Sequence, residues 1–64
     1  MDTVEAPRLL ALPQVMDLTS LSEPTIRRMV DRGEFPRPVR ISSNRKAWPQ
    51  PSVAAWINSR VEAV

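Results

Sequence analysis

Pro36 and Pro38 forbid a helix through the middle of this chain. Proline lacks the N–H that an interior helical residue must donate, and it pushes the residue before it into an extended conformation. The next such block is Pro49-Gln50-Pro51. Between the two blocks, Val39-Arg40-Ile41 and Lys46-Ala47-Trp48 alternate as strands do. Ser42-Ser43-Asn44-Arg45 between them has turn chemistry, with Asn44 tolerant of positive φ. The prolines therefore predict a small β-hairpin with a basic tip and confine helices to the chain on either side.

Two helices are expected before the hairpin. Pro13 suits a first helical position, and Leu12, Val15 and Met16 follow at helical spacing, so a short helix is read from Pro13 to about Leu18. Thr19-Ser20-Leu21 breaks it. Arg8 to Leu12 before it reads either as a short strand or as the lead into this helix. The second helix, Ser22 to Arg32, is the best signposted. Ser22 is an N-cap, Glu23 an acid in the first turn, and Gly33 a left-handed residue just past the end. After the hairpin, Gln50 serves as cap and Pro51 as first helical residue of a third helix. Val53, Trp56, Ile57 and Val61 form its apolar stripe. Phe35 folds back onto the core, and Trp48 and Trp56 are core residues rather than stacking platforms for single-stranded nucleic acid.

A chain of 64 residues permits one domain with a thin core, expected over 9–64 behind a flexible arm at 1–8. Without cysteine there are no disulfides or thiolate metal sites, and without histidine the usual general base is missing. No apolar run approaches the roughly 20 residues that span a bilayer. The start, MDTVEAPR, does not read as a signal peptide. A cytoplasmic, cofactor-free protein is expected. The net charge of +2 is unevenly spread: residues 1–19 carry −2, residues 20–46 carry +4 and the remainder balances. Concentrated positive charge marks an anionic partner, nucleic acid first, or else a solvated charged face.

On a helical wheel centred on Ile26, Arg28 falls about 200° away, opposite the core, with Pro24 beside it and Thr25 and Arg32 on one flank. Arg27 lies on the other flank, with Glu23 four residues before it and Asp31 four after, so it can pair on its own helix. Arg28 instead has Arg32 at i+4, a repulsion of roughly 0.2–0.5 kcal/mol that an anionic partner would reverse. A short helix, a brief break and a capped second helix follow the helix-turn-helix plan, in which the second helix enters the major groove. Thr25 and Arg28 are then the base-reading candidates, and Ser22 a phosphate holder through backbone N–H groups. Arg40, Arg45 and Lys46 on the hairpin are candidates for contacts with the DNA backbone or the minor groove.

These residues resemble the AlpA-type phage regulators, relatives of excisionases and of MerR-like winged-helix proteins. The resemblance rests on Leu-Pro-x-Val at 12–15 and Leu-Ser-x-x-Thr-Ile-x-Arg at 21–28. Gly-x-Phe-Pro-x-Pro-Val at 33–39 and Trp-x-x-x-x-Val-x-x-Trp-Ile at 48–57 complete it. It implies a mainly α fold with a small β-hairpin, a compact winged helix-turn-helix with recognition helix 22–32 and wing 40–47. It also implies double-stranded DNA as partner, work at prophages and other mobile elements, and an integrase or other recombinase nearby. The role would be transcriptional regulator of an integrase gene, recombination directionality factor (excisionase), or both. Ser20 stands where the family commonly has glycine, and Arg27 where it often has an aromatic.

An adaptor whose basic helix docks on an acidic protein is the alternative from another class. An enzyme is not expected: no activating base accompanies Ser22, Ser42 or Ser43. Once Leu12, Val15, Met16, Ile26, Met29, Val30, Phe35, Trp48, Val53, Trp56 and Ile57 are given to the core, no exposed apolar stripe should remain. A free monomer that assembles cooperatively on tandem DNA sites is therefore expected.

Overall fold

The computed structural model describes residues 7–63. The arm expected at 1–8 lies outside the described residues for 1–6, and Pro7 and Arg8 are exposed and lead into a strand. The element order is β1 (Leu9–Leu10), α1 (Leu12–Thr19), α2 (Glu23–Asp31), β2 (Val39–Ser42), β3 (Arg45–Pro49) and α3 (Gln50–Glu62). The strands form one antiparallel sheet in the order β1-β3-β2, so the fold is three helices with a small sheet, as a winged helix-turn-helix requires. No helix among the described residues is long and apolar enough to cross a membrane.

Of the stretch left open between strand and helical lead-in, Leu9 and Leu10 form a strand, while Ala11 and Leu12 are the cap and first residue of α1. Leu9 pairs with Pro49 and Leu10 with Trp48, and the Gln50 N–H donates to the Arg8 carbonyl at 2.7 Å. That bond also moves the start of α3. Gln50 was expected as cap and Pro51 as first residue, but Gln50 is itself helical and Pro49 sits at the cap, with φ −62 and no side-chain bond. Because the Gln50 N–H is already satisfied by Arg8, the helix begins without a capping hydroxyl. α1 likewise starts one residue early: Ala11 is its cap, Pro13 its second residue, and Gln14 Oε1 accepts from the Ala11 N–H at 2.9 Å. Thr19, expected in the break, closes α1, its hydroxyl donating to the Val15 carbonyl.

α2 has the expected frame. The Thr25 N–H donates to Ser22 Oγ, and Gly33 has φ +74. The Gly33 N–H donates to the Val30 carbonyl and the Glu34 N–H to Met29 at 2.8 Å, which closes the helix as a Schellman motif. The hairpin is tighter than expected. Ser42 pairs with Arg45, leaving Ser43 and Asn44 as the turn, and Ile41 is an extra residue in β2. Asn44 does not use its tolerance for positive φ; the only non-glycine among the described residues that takes it is Ser20, at φ 62. The bulge at Ile41 supplies the extra twist that a left-handed turn residue would otherwise provide.

Leu10, Val15, Ile26, Phe35, Trp48 and Val53 form the buried core, and Leu12, Met16, Leu21, Met29, Val30, Trp56 and Ile57 pack against it. Phe35 stands edge-on to both tryptophans, with centroids 6.4 and 4.8 Å away. Trp48 Nε1 donates to the Pro36 carbonyl and Trp56 Nε1 to that of Glu34. Both indoles are thereby tied to the loop between α2 and β2. Two expectations fail. Val61, expected on the stripe of α3, is 68% exposed, because it lies a turn beyond Ile57, the last α3 residue packed on the core. An apolar surface does remain: Leu9, Val39 and Ile41 are exposed on the sheet. Leu9 pairs with Pro49 and Val39 with Ala47, so the pleat puts these four on the face turned away from Trp48.

Candidate nucleic-acid interface

Ser20 links α1 to α2. Its left-handed backbone lets its N–H reach the Met16 carbonyl at 2.8 Å while the chain reverses. The Leu21 N–H donates to Thr19 Oγ1 at 3.3 Å, and Leu21 packs on the core. The reversal brings Ser22 out as the exposed N-cap of the second helix.

The residues expected at the start of α2 lie together. Ser22 Oγ and Thr25 Oγ1 share a hydrogen bond of 2.9 Å, and Arg28 Nη2 donates to Thr25 Oγ1 at 3.4 Å. Pro24 is exposed in the first turn, where its missing N–H removes one orphan donor. Arg27 and Arg28 are engaged differently. Arg27 forms an exposed ion pair with Glu23, Nη2 to Oε2 at 2.7 Å, backed by a bond from Nε at 2.9 Å. Arg28 makes no ion pair with an acid among the described residues and bonds only to the Thr25 hydroxyl. Arg32 is the C-cap residue of α2 and is exposed.

On the hairpin, Arg40 and Lys46 are direct cross-strand partners. Lys46 and Trp48 lie two apart on β3 and so share a face, the one that carries Trp48 into the core. Lys46 consequently lines the same groove as Arg27, a space of about 380 Å³ floored by Leu12, Ile26, Val30, Pro38 and Trp48, with Asp31 also at its wall. Two like charges directly opposite on an antiparallel pair destabilise the ladder. The α2 flank and the hairpin thus present Arg27, Arg40 and Lys46 toward one region. Arg45, next to Lys46 on the strand, takes the other face and does not join them.

Sequence reasoning named these cations but not which of them stand together, since that depends on the register around Ile41. It also gave no role to Arg37, an exposed cation between Pro36 and Pro38. The Thr25–Arg28 bond had a sequence signal, the i, i+3 spacing.

Residues 8–61 match the family described as "Prophage CP4-57 regulatory protein (AlpA)". The chain is 39% identical over 54 residues, 84% of its length, to "Uncharacterized protein ORF88" of Enterobacteria phage P4. The matched stretch spans 61% of that relative. No solved structure matches the chain significantly.

Proposed function

The chain belongs to the AlpA family of prophage regulatory proteins, and on that footing we propose that it is a sequence-specific double-stranded DNA-binding protein of a prophage or mobile element. It acts as a recombination directionality factor, as a regulator of an integrase gene, or as both. Residues 9–64 form the DNA-binding unit. α2 enters the major groove with Arg28 against a guanine edge, Ser22 and Pro24 lie along the phosphates, and Arg32 and Arg27 flank them. Arg40 and Lys46 hold the backbone beside it, and Arg45 reaches phosphates from the other side of the hairpin.

The observation that carries this reading is the direct opposition of Arg40 and Lys46 next to a recognition-type helix whose Arg28 has no acid partner among the described residues. These cations repel one another in the free protein, and a polyanion relieves the repulsion. The test is selection from a random duplex pool, followed by titration of the enriched and a shuffled duplex over a range of salt. The enriched duplex should bind tighter, and log K should fall with log salt by about 0.9 per phosphate contact. No enriched sequence and a flat salt response would refute it.

A free monomer assembling on tandem sites remains part of the proposal. Assembly on adjacent sites is supported by Leu9 and Val39, exposed on the sheet face turned away from Arg40 and Lys46. Sedimentation without DNA should give a monomer, and binding to an array of sites should be cooperative. A stable free dimer on a palindromic site would contradict this.

A further inference from the structure

Ser22, Thr25 and Arg28 recur at intervals of three, which stacks them along one side of the start of α2. The structure joins them in one line. The Thr25 N–H donates to Ser22 Oγ at 3.4 Å, the two hydroxyls share a bond of 2.9 Å, and Arg28 Nη2 donates to Thr25 Oγ1 at 3.4 Å. A hydroxyl has one proton and two lone pairs. Arg28 takes one lone pair of Thr25, and the bond with Ser22 takes either its proton or its second lone pair. Thr25 is half-buried while Ser22 and Arg28 are exposed. A threonine engaged in this way has little left to offer a base. Arg28 is the exposed end of the line, and its other N–H groups are uncommitted among the described residues.

We propose that Thr25 is a positioning residue and not a base reader: its hydroxyl, anchored on the capping hydroxyl of Ser22, holds the Arg28 guanidinium in the orientation in which it meets a guanine. An arginine side chain loses rotamer freedom when it binds, and a partner that holds it beforehand reduces that cost. The helix cap therefore does two jobs, closing the first turn and aiming the arginine. Only Arg28, in the middle of the exposed side, is served; Arg27 is held separately by Glu23.

The inference rests on the DNA-binding reading, and the test separates the two. Thr25→Val keeps the shape and the backbone N–H but removes the hydroxyl. On the selected duplex it should bind about 2- to 12-fold more weakly, the range expected for immobilising one long side chain. Thr25→Ser should restore wild-type binding, and Thr25→Val added to Arg28→Ala should cost nothing further. In the free protein, ¹⁵Nε relaxation should show Arg28 more ordered than Arg32, with the difference lost in Thr25→Val. The proposal is overturned if the Thr25 and Arg28 losses multiply and change preference at different base pairs, which would make Thr25 a reader in its own right. It is overturned equally if Arg28 is already as mobile as Arg32 in the wild type. If the wild type selects no duplex while Arg28 is ordered by Thr25, the DNA reading fails and the positioning geometry stands.

Discussion

Replacing Lys46 with glutamate should make this protein more stable and less able to hold DNA. Arg40 and Lys46 are opposed on the inner face of the hairpin, and both are exposed. Cross-strand pairs contribute roughly 0.2–1 kcal/mol, favourable for opposite charges and unfavourable for like ones. Lys46→Glu removes a repulsion at the low end of that range and installs an attraction within it, for a gain of about 0.4–1.2 kcal/mol. In a domain of this size that corresponds to a rise of roughly 2–10 °C in Tm. Circular-dichroism melts at low salt should show the rise, and melts at 1 M salt should show most of it gone, because exposed pairs are screened there. The DNA salt slope of the same variant should flatten by about one to two units, for one lost phosphate contact and one added repulsion. A lower Tm at both salt concentrations would refute the reasoning. It would mean that the Lys46 stem, packed along the groove with Trp48 and Ile26, contributes more than its charge costs.

The other predictions use separate features. Arg28→Ala should cost about 1–3 kcal/mol on the selected duplex and relax preference at one base pair, whereas Arg27→Ala, whose partner is Glu23, should cost less; equal small losses by titration would contradict the distinction. Ser20→Gly should raise stability by about 0.5–1 kcal/mol, since serine carries the left-handed strain at φ 62 that glycine does not. Gly33→Ala should lower stability by about 1–2 kcal/mol through backbone strain alone, because beyond its chain neighbours nothing lies within 4 Å of the added carbon; urea unfolding measures both. Phe35→Ala, which leaves a hole between two tryptophans, should cost about 3–5 kcal/mol and abolish the near-ultraviolet tryptophan signal.

α2 was readable in the sequence because three independent signals agree on it: Ser22 as cap, an apolar stripe centred on Ile26, and Gly33 just past the end. The hairpin was readable because prolines bound it on both sides. β1 was ambiguous for a physical reason. Two leucines carry no periodicity, and what makes them a strand is the exposed edge of Trp48 and Pro49 on a distant segment. Leu10 is among the most buried residues yet was absent from the expected core for the same reason. The start of α3 was misplaced because the bond that replaces its cap comes from Arg8. At the candidate site, residue types and helix faces could be read locally. The opposition of Arg40 and Lys46 could not, since a bulge at Ile41 and a two-residue turn decide which residue of β2 faces Lys46.

The placement of β3 between its two neighbours also dictates an order of events in biosynthesis. β2 and β3 are adjacent in the chain and close over a short loop, whereas Leu9 and Leu10 are made first and their partners Trp48 and Pro49 come much later. The first strand therefore has no partner until Trp48 and Pro49 have been made. Joining it requires closing the longest loop in the molecule, so the step is slow relative to formation of the hairpin and of the α1–α2 pair. During that interval the hairpin exposes an unfilled edge on its central strand. That edge lies at Trp48 and Pro49, and charges such as Lys46 and Arg45 just before it disfavour pairing with another chain. The charges proposed to meet a polyanion would thus also guard the open edge before the sheet is complete.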